Sequence, residues 1–264
     1  MHGLGVNPGD GALYVATHHG TFRIPEGGSA ERVGSSSQDT MGFTVAGPDR
    51  FLGSGHPDVA GMQAGQPGLL GLIESSDAGR SWVSRSLSGE VDFHALAFAH
   101  GQVYGWDATS ARLMVSADAQ VWETRTQMPM HSFAVDPADP DRLVAAMPGG
   151  LRSSSDGGRM WSRLLGPELV LVSWAPDGVL WGLAQDGAVL RSSDGGEEWE
   201  SAGHLPGDAQ ALSATSEAVW AAAAADGEPT GIYRSRDGGS PGSWSTETPE
   251  GKPRVRAVVG AQRG

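Results

Sequence analysis

The chain has 264 residues, enough for one large domain, and carries 18 Lys and Arg against 31 Asp and Glu, a net charge of −13. That balance excludes the basic stripe a nucleic acid needs and gives no attraction to an anionic membrane, while leaving a mild pull on cations. There is no cysteine, so disulfides, thiolate metal sites and thiol nucleophiles are excluded, and no apolar run approaches the roughly 20 residues that span a bilayer.

The first residues, Met1-His2-Gly3-Leu4, show no signal peptide and already read like the start of a repeat. A worn turn follows at Thr21-Phe22-Arg23-Ile24-Pro25-Glu26-Gly27-Gly28. The pattern Ser-x-Asp-x-Gly-x-x-Trp is intact at Ser75/Asp77/Gly79/Trp82, at Ser154/Asp156/Gly158/Trp161 and at Ser192/Asp194/Gly196/Trp199. It is shortened at Ser116/Asp118/Trp122 and stretched at Ser235/Asp237/Gly239/Trp244. From Glu26 through Asp77, Asp118, Asp156 and Asp194 to Asp237 the spacings are 51, 41, 38, 38 and 43 residues. The long first spacing holds an insertion, Pro57 to Leu69, rich in Gly and Gln.

A period near 40 with about four short strands per unit is the signature of a β-propeller blade. Sustained i, i+3, i+4 apolar spacing, which a helical repeat would need, is missing, and Gly and Pro punctuate the chain as strands require. The turn has a physical logic. Ser and Asp side chains bond their own turn backbone, Gly supplies positive φ, and Trp buries a large ring.

These repeats resemble the Asp-box (BNR) repeats of sialidases and related glycosyl-hydrolase-like bacterial propellers, over nearly the whole chain. The resemblance implies an all-β, six-bladed propeller of four-stranded antiparallel blades with Asp-box turns, as a single domain. The blades are expected near residues 2–34, 40–88, 92–127, 131–166, 168–203 and 208–248, with a closing strand at 254–259. It also implies an exported, extracytoplasmic protein, and the acidic single domain is expected to be a monomer.

In such a ring the first strand of each blade lines the channel. Aligning those strands brings His2, Met41, His94, His131, Glu168 and Asp208 level at one mouth. The loops after the second strands add His18, His19, His56, Asp58, Asp107 and Asp186 to the same face, and His204 joins from a blade-to-blade loop. Only His100 is expected at the other end. Clustered neutral imidazoles with carboxylates are ligands for zinc, copper or iron. The expected site is therefore a metal ion held by His2, His18, His56, His94 and His131, with His19, Met41, Asp58 and Asp107 in support, and a small molecule or metal as guest at the channel mouth. Met128 and Met130 lie nearby in sequence and read as loop packing.

Two rivals follow from the resemblance. A sialidase-like glycoside hydrolase would use an arginine triad, a Tyr nucleophile paired with Glu and an acid/base Asp, whereas a generic glycosidase would use paired carboxylates, for which Glu168 and Asp208 are the candidates. Phe22-Arg23-Ile24-Pro25 matches a sialidase motif, but the repeats place Arg23 level with Arg191 and Arg234, on a third strand away from the channel. The tyrosines, Tyr14, Tyr104 and Tyr233, fall on second and third strands. The other rival is a non-catalytic scaffold that binds protein on a propeller face, as related photosystem-assembly and sorting-receptor propellers do.

Overall fold

Burial decides the strands. Leu13–Thr17 and Leu143–Met147 are buried at every position, which fits second strands covered on both faces and explains their unbroken apolar runs. Outermost strands such as Glu31–Val33 and Val83–Ser86 are exposed. In the computed structural model, which describes residues 1–237 and 244–246, these strands form six four-stranded antiparallel sheets, each of strands consecutive in sequence. The protein is a six-bladed β-propeller. The blades' strands lie within residues 3–33, 39–86, 93–127, 132–163, 171–204 and 208–246. One short helix, α1 (Val59–Gln63), occupies the insertion in blade 2. Among the described residues no helix is long and apolar enough to cross a membrane.

The inner strands are Gly3–Val6, Asp39–Gly47, Phe93–Ala99, Ser132–Val135, Leu171–Trp174 and Asp208–Ala214. They pack neighbour to neighbour, and Gly3–Val6 touches both Asp39–Gly47 and Asp208–Ala214, closing the circle. A shared core joins the first and last blades: Leu4, Leu13, Val15 and Ile24 pack with Ala211, Trp220, Ala222 and Ile232. Fully burying one such Leu or Ile contributes about 1.5–3 kcal/mol. Glu26, in the worn turn, accepts from Arg234 and Arg236 of blade 6, so it ties the closure instead of stapling its own turn. The expected closing strand at 254–259, with Arg254 and Arg256, lies outside the described residues.

The outer turns are hydrogen-bonded as the repeat chemistry demands. Ser154 Oγ donates to Asp156 Oδ1 at 2.8 Å and accepts the Gly158 N–H at 2.9 Å. Asp156 Oδ1 also accepts the N–H groups of Arg159 and Met160 at 3.0 and 2.9 Å. The copies at Ser75, Ser116 and Ser192 repeat the serine-to-aspartate bond. Trp161 and Trp199 donate their ring N–H to Gly158 and Gly196.

Arg23 sits on the third strand of blade 1, where its Nε donates to Asp10 at 2.7 Å and Glu31 lies 3.8 Å away. It is an ion-pairing residue of the blade, not a channel residue.

The channel holds a cavity of about 620 Å3, but not at the histidine mouth. It opens at the other end, among Leu4, Val6, Phe98, His100, Pro137 and Trp174. His100 is there as expected, its Nε2 bonded to the Asp136 carbonyl at 2.8 Å.

Candidate functional site

The histidines expected at one mouth fall into three groups. His2 precedes the inner strand of blade 1, and His18 sits on the turn between that blade's second and third strands. Their Nε2 atoms are 3.0 Å apart, with the rings edge to face. Asp39, the first residue of the inner strand of blade 2, completes the group. Its Oδ2 lies 2.9 Å from His18 Nδ1, and its Oδ1 lies 3.6 Å from His2 Nε2. That Oδ1 is buried and no donor reaches it.

One blade on, two histidines flank another aspartate, but their ligand atoms do not draw together as those of His2, His18 and Asp39 do. His56 ends the second strand of blade 2, Asp92 stands just before the inner strand of blade 3, and His94 lies on that strand. Asp92 Oδ2 is 3.3 Å from His56 Nε2 and 2.9 Å from His94 Nε2. Asp92 Oδ1 is again buried without a donor. The groups adjoin, because Asp39 and His56 are direct partners across the β-ladder. Gly55 makes that approach possible: at φ +138°, a Cβ there would meet the Asp39 carbonyl oxygen at 2.1 Å.

His131 joins neither group. It lines a separate cavity of about 350 Å3 with Met147, Glu168, Gln185 and Asp186, between blades 4 and 5. His19 is exposed, and its hydrogen bond is a backbone one to Thr17 Oγ1.

Asp107 and Asp58 are staples. Asp107 is wholly buried and accepts from the Asp92 N–H at 3.0 Å, from Thr109 and from Ser110. Burial pushes its pKa up, but those bonds outweigh it and hold the carboxyl below its ordinary range. Asp107 therefore fixes the backbone of Asp92. Asp58 caps α1 through Gly61 N–H at 2.8 Å and ties Ser37 N–H at 2.9 Å. Those backbone bonds lower its pKa.

The ladder also corrects the tier assigned to the two carboxylates. His2, His131 and Val170 each donate a backbone N–H to the second strand just beyond the paired residues, to Ala16, Ala146 and Leu183. Val170, not Glu168, is thus level with the histidines, and Glu168 stands two residues earlier. In blade 6 the ladder skips Gln210, as it skips Met41 in blade 2 and His94 in blade 3. Gln210 is level with His94, and Asp208 stands two residues earlier. Each skipped residue is the extra one of a β-bulge, which simple strand alternation does not anticipate. Met41 is half-buried at its bulge. Asp208 is exposed and does not line the cavity that holds Glu168.

The same shift shows what the sequence reading missed. Asp39 and Asp92 stand two residues before Met41 and His94, on the tier that Glu168 and Asp208 occupy in blades 5 and 6. Extending the strand alignment back by one pleat would have found all four.

The first group's electrostatics suit a cation. Burial lowers the His2 pKa to about 4, helped by the Met1 amino group and His18, against the pull of Asp39; His94 lowers it further. His2 is neutral at pH 7 and offers a lone pair. One ligand atom from each of His2, His18 and Asp39 lies within 4.8 Å of the others. Ligands about 2.0–2.1 Å from a tetrahedral zinc stand about 3.3 Å apart, close to the 3.0 and 3.6 Å seen here.

No family model and no curated protein matches the sequence. Solved structures do resemble the fold. A GH74 xyloglucanase from Xanthomonas campestris shares 16% identity over 93% of this chain and 45% of its own, with a TM-score of 0.59. A gluconolactonase from the same organism shares 13% over 83% of this chain and 82% of its own, at 0.65. YCF48 bound to D1 peptide shares 18% over 92% and 80%, at 0.54. The chain spans less than half the length of the xyloglucanase and 36% of an ancestral GH74 enzyme. At these identities the likeness establishes the propeller fold alone.

Proposed function

We propose that this propeller binds a transition-metal ion, zinc or copper before iron, between His2, His18 and Asp39 at the channel mouth. The observation that carries the reading is the convergence of two imidazoles and a carboxylate whose inner oxygen is buried without a donor. A buried unpaired carboxylate oxygen is costly, and a cation offsets that cost. His18 supports the reading further. Its Nδ1 faces a carboxylate, the arrangement that orients metal-ligating histidines and frees Nε2. On binding, His2 carries its proton on Nδ1 and both Nε2 lone pairs turn to the ion. A metal held this way with open positions can polarise a bound substrate or activate water. Zinc titration of protein freed of its affinity tag tests the proposal: one tightly bound equivalent that is lost in His18→Ala supports it, and less than a tenth of an equivalent bound by the wild type ends it.

The glycoside-hydrolase alternative draws on the xyloglucanase likeness and on Glu168, which shares a polar cavity with His131 and Asp186. Turnover of fluorogenic sialosides or aryl glycosides, lost in Glu168→Gln, is its test. The turn hydrogen bonds at Ser75, Ser154 and Ser192 support kinship with Asp-box propellers.

A further inference from the structure

We propose that the channel end opposite the histidines binds a small neutral molecule that joins an apolar ring to a hydrogen-bond donor. This site lies at the far end of the channel from the proposed metal ion and shares no residue with it. Its cavity of about 620 Å3 has the size of sites that enclose small organic ligands, roughly 300–1,000 Å3. All six inner strands wall it, and Leu4, Val45, Phe98, Val135, Trp174 and Leu212 give one apolar side chain from each blade. Val45, Phe98, Trp174 and Leu212 are only half-buried in the bare protein, so apolar surface is left for a guest to cover.

Charge sets the class of guest. The chain carries a net charge of −13, yet no Asp, Glu, Lys or Arg is among the described residues that line this cavity. Arg50 and Arg142 stack over the Phe98 and Trp174 rings at 5.1 and 5.3 Å, but each pairs with a carboxylate, Glu74 or Asp136, and neither lines the cavity. An ion entering such a wall would lose its hydration with no counter-charge to replace it. Thr44, Ser173 and Ser213 add only uncharged hydroxyls.

His100 supplies the handle. Its Nε2 lies 2.8 Å from the Asp136 carbonyl oxygen. A carbonyl only accepts, so Nε2 carries the proton, and in the neutral ring Nδ1 is left as an acceptor for a donor on the guest. His100 takes φ +51° beside Gly101 at +73°, a left-handed conformation that strains a residue with a Cβ. Glycine would take it without strain, whereas the imidazole puts an acceptor at the cavity. The rim is also preformed. Pro8, Pro137 and Pro176 line it, each two residues after the end of an inner strand, and their fixed φ removes freedom that binding would otherwise cost. The Trp174 ring N–H donates to the Gly178 carbonyl at 3.0 Å, which holds that ring in place.

Two dyes of one ring skeleton test the class: N-phenylnaphthylamine, neutral with a single N–H donor, and its charged relative anilinonaphthalene sulfonate. Both are titrated by fluorescence into the full chain, with chelator present to keep the result separate from zinc. Salt at about 0.5 M screens the net charge of the protein. The expected result is one equivalent of the neutral dye, bound roughly tenfold or more tighter than the sulfonate. Thr44→Trp and Ser213→Trp, which enlarge two lining residues on different blades, should each abolish that binding. His100→Gly, which relaxes the turn, should weaken it about 3–10-fold. Circular dichroism and melting check each fold, and the second filling variant serves if the first misfolds. No saturable binding of the neutral dye overturns the proposal. So does equal affinity for the two dyes, or an affinity for the neutral dye that neither filling variant lowers. An unchanged affinity in His100→Gly overturns the donor handle.

Discussion

Aspartates mark both ends of these blades, and their bonding separates two kinds of work. At the outer turns Asp156 and Asp194 accept a serine hydroxyl and several backbone N–H groups. For Asp156 the leading cause of its lowered pKa is the Met160 N–H, and for Asp194 it is the Ser192 hydroxyl. At the channel mouth Asp39 and Asp92 each keep one buried oxygen without a donor and turn the other to imidazoles. A satisfied aspartate completes a turn. An unsatisfied one beside histidines costs the bare protein stability, a cost that the proposed cation would offset.

The largest expected effect comes from Asp39→Asn. Zinc affinity at the channel mouth should fall roughly 1,000-fold or more, since removing a ligand exceeds the 10–100-fold typical of its supporting shell. The melting temperature of the metal-free protein should change little, because the amide oxygen can still accept from His18 Nδ1 while the buried carboxylate oxygen without a donor is removed. A competition titration and a melt read both, and an unchanged affinity would erase the distinction between the two kinds of aspartate.

Acid should act on the mouth next. His2 titrates near 4 in the folded protein, below the ordinary 6.5. Between those values the unfolded chain binds more protons, so stability is full above pH 6.5 and is lost as pH falls toward 4. The ceiling is about 3 kcal/mol, read by urea unfolding at pH 7 and pH 4.5. His2→Gln should flatten that dependence.

Ser154→Ala probes the outer end. It removes the acceptor of a buried Gly158 N–H, a loss of about 1–3 kcal/mol in stability, with zinc stoichiometry unchanged. A zinc defect here would show that the two ends are coupled. The smallest effect belongs to Asp58→Ala. Losing the α1 cap should cost about 1 kcal/mol, read by urea unfolding, with zinc affinity at His2, His18 and Asp39 unchanged.

Much of the fold was legible in the chain. The Ser-x-Asp-x-Gly-x-x-Trp turns recur near a 40-residue period, and each is bonded by groups within a few residues of one another. The placement of Arg23 on a third strand came from that same frame. The candidate site was half legible. His2 and His18 meet at the mouth to which the strand alignment assigned them, but His131 lies in another cavity and Asp39 and Asp92 went unnoticed. The bulges at Met41, His94 and Gln210 shift strand register by one residue, and a one-residue shift changes which side chains meet.

By itself the amino-acid order determined the number of blades, the turns that end them and the apolar strands that fill them. Those features depend on short-range hydrogen bonds and on spacing along the chain. Only the closed ring decided which imidazole faces which carboxylate. His18 meets Asp39 and His56 meets Asp92 across blade boundaries, and such contacts depend on bulge register and on the packing of neighbouring sheets.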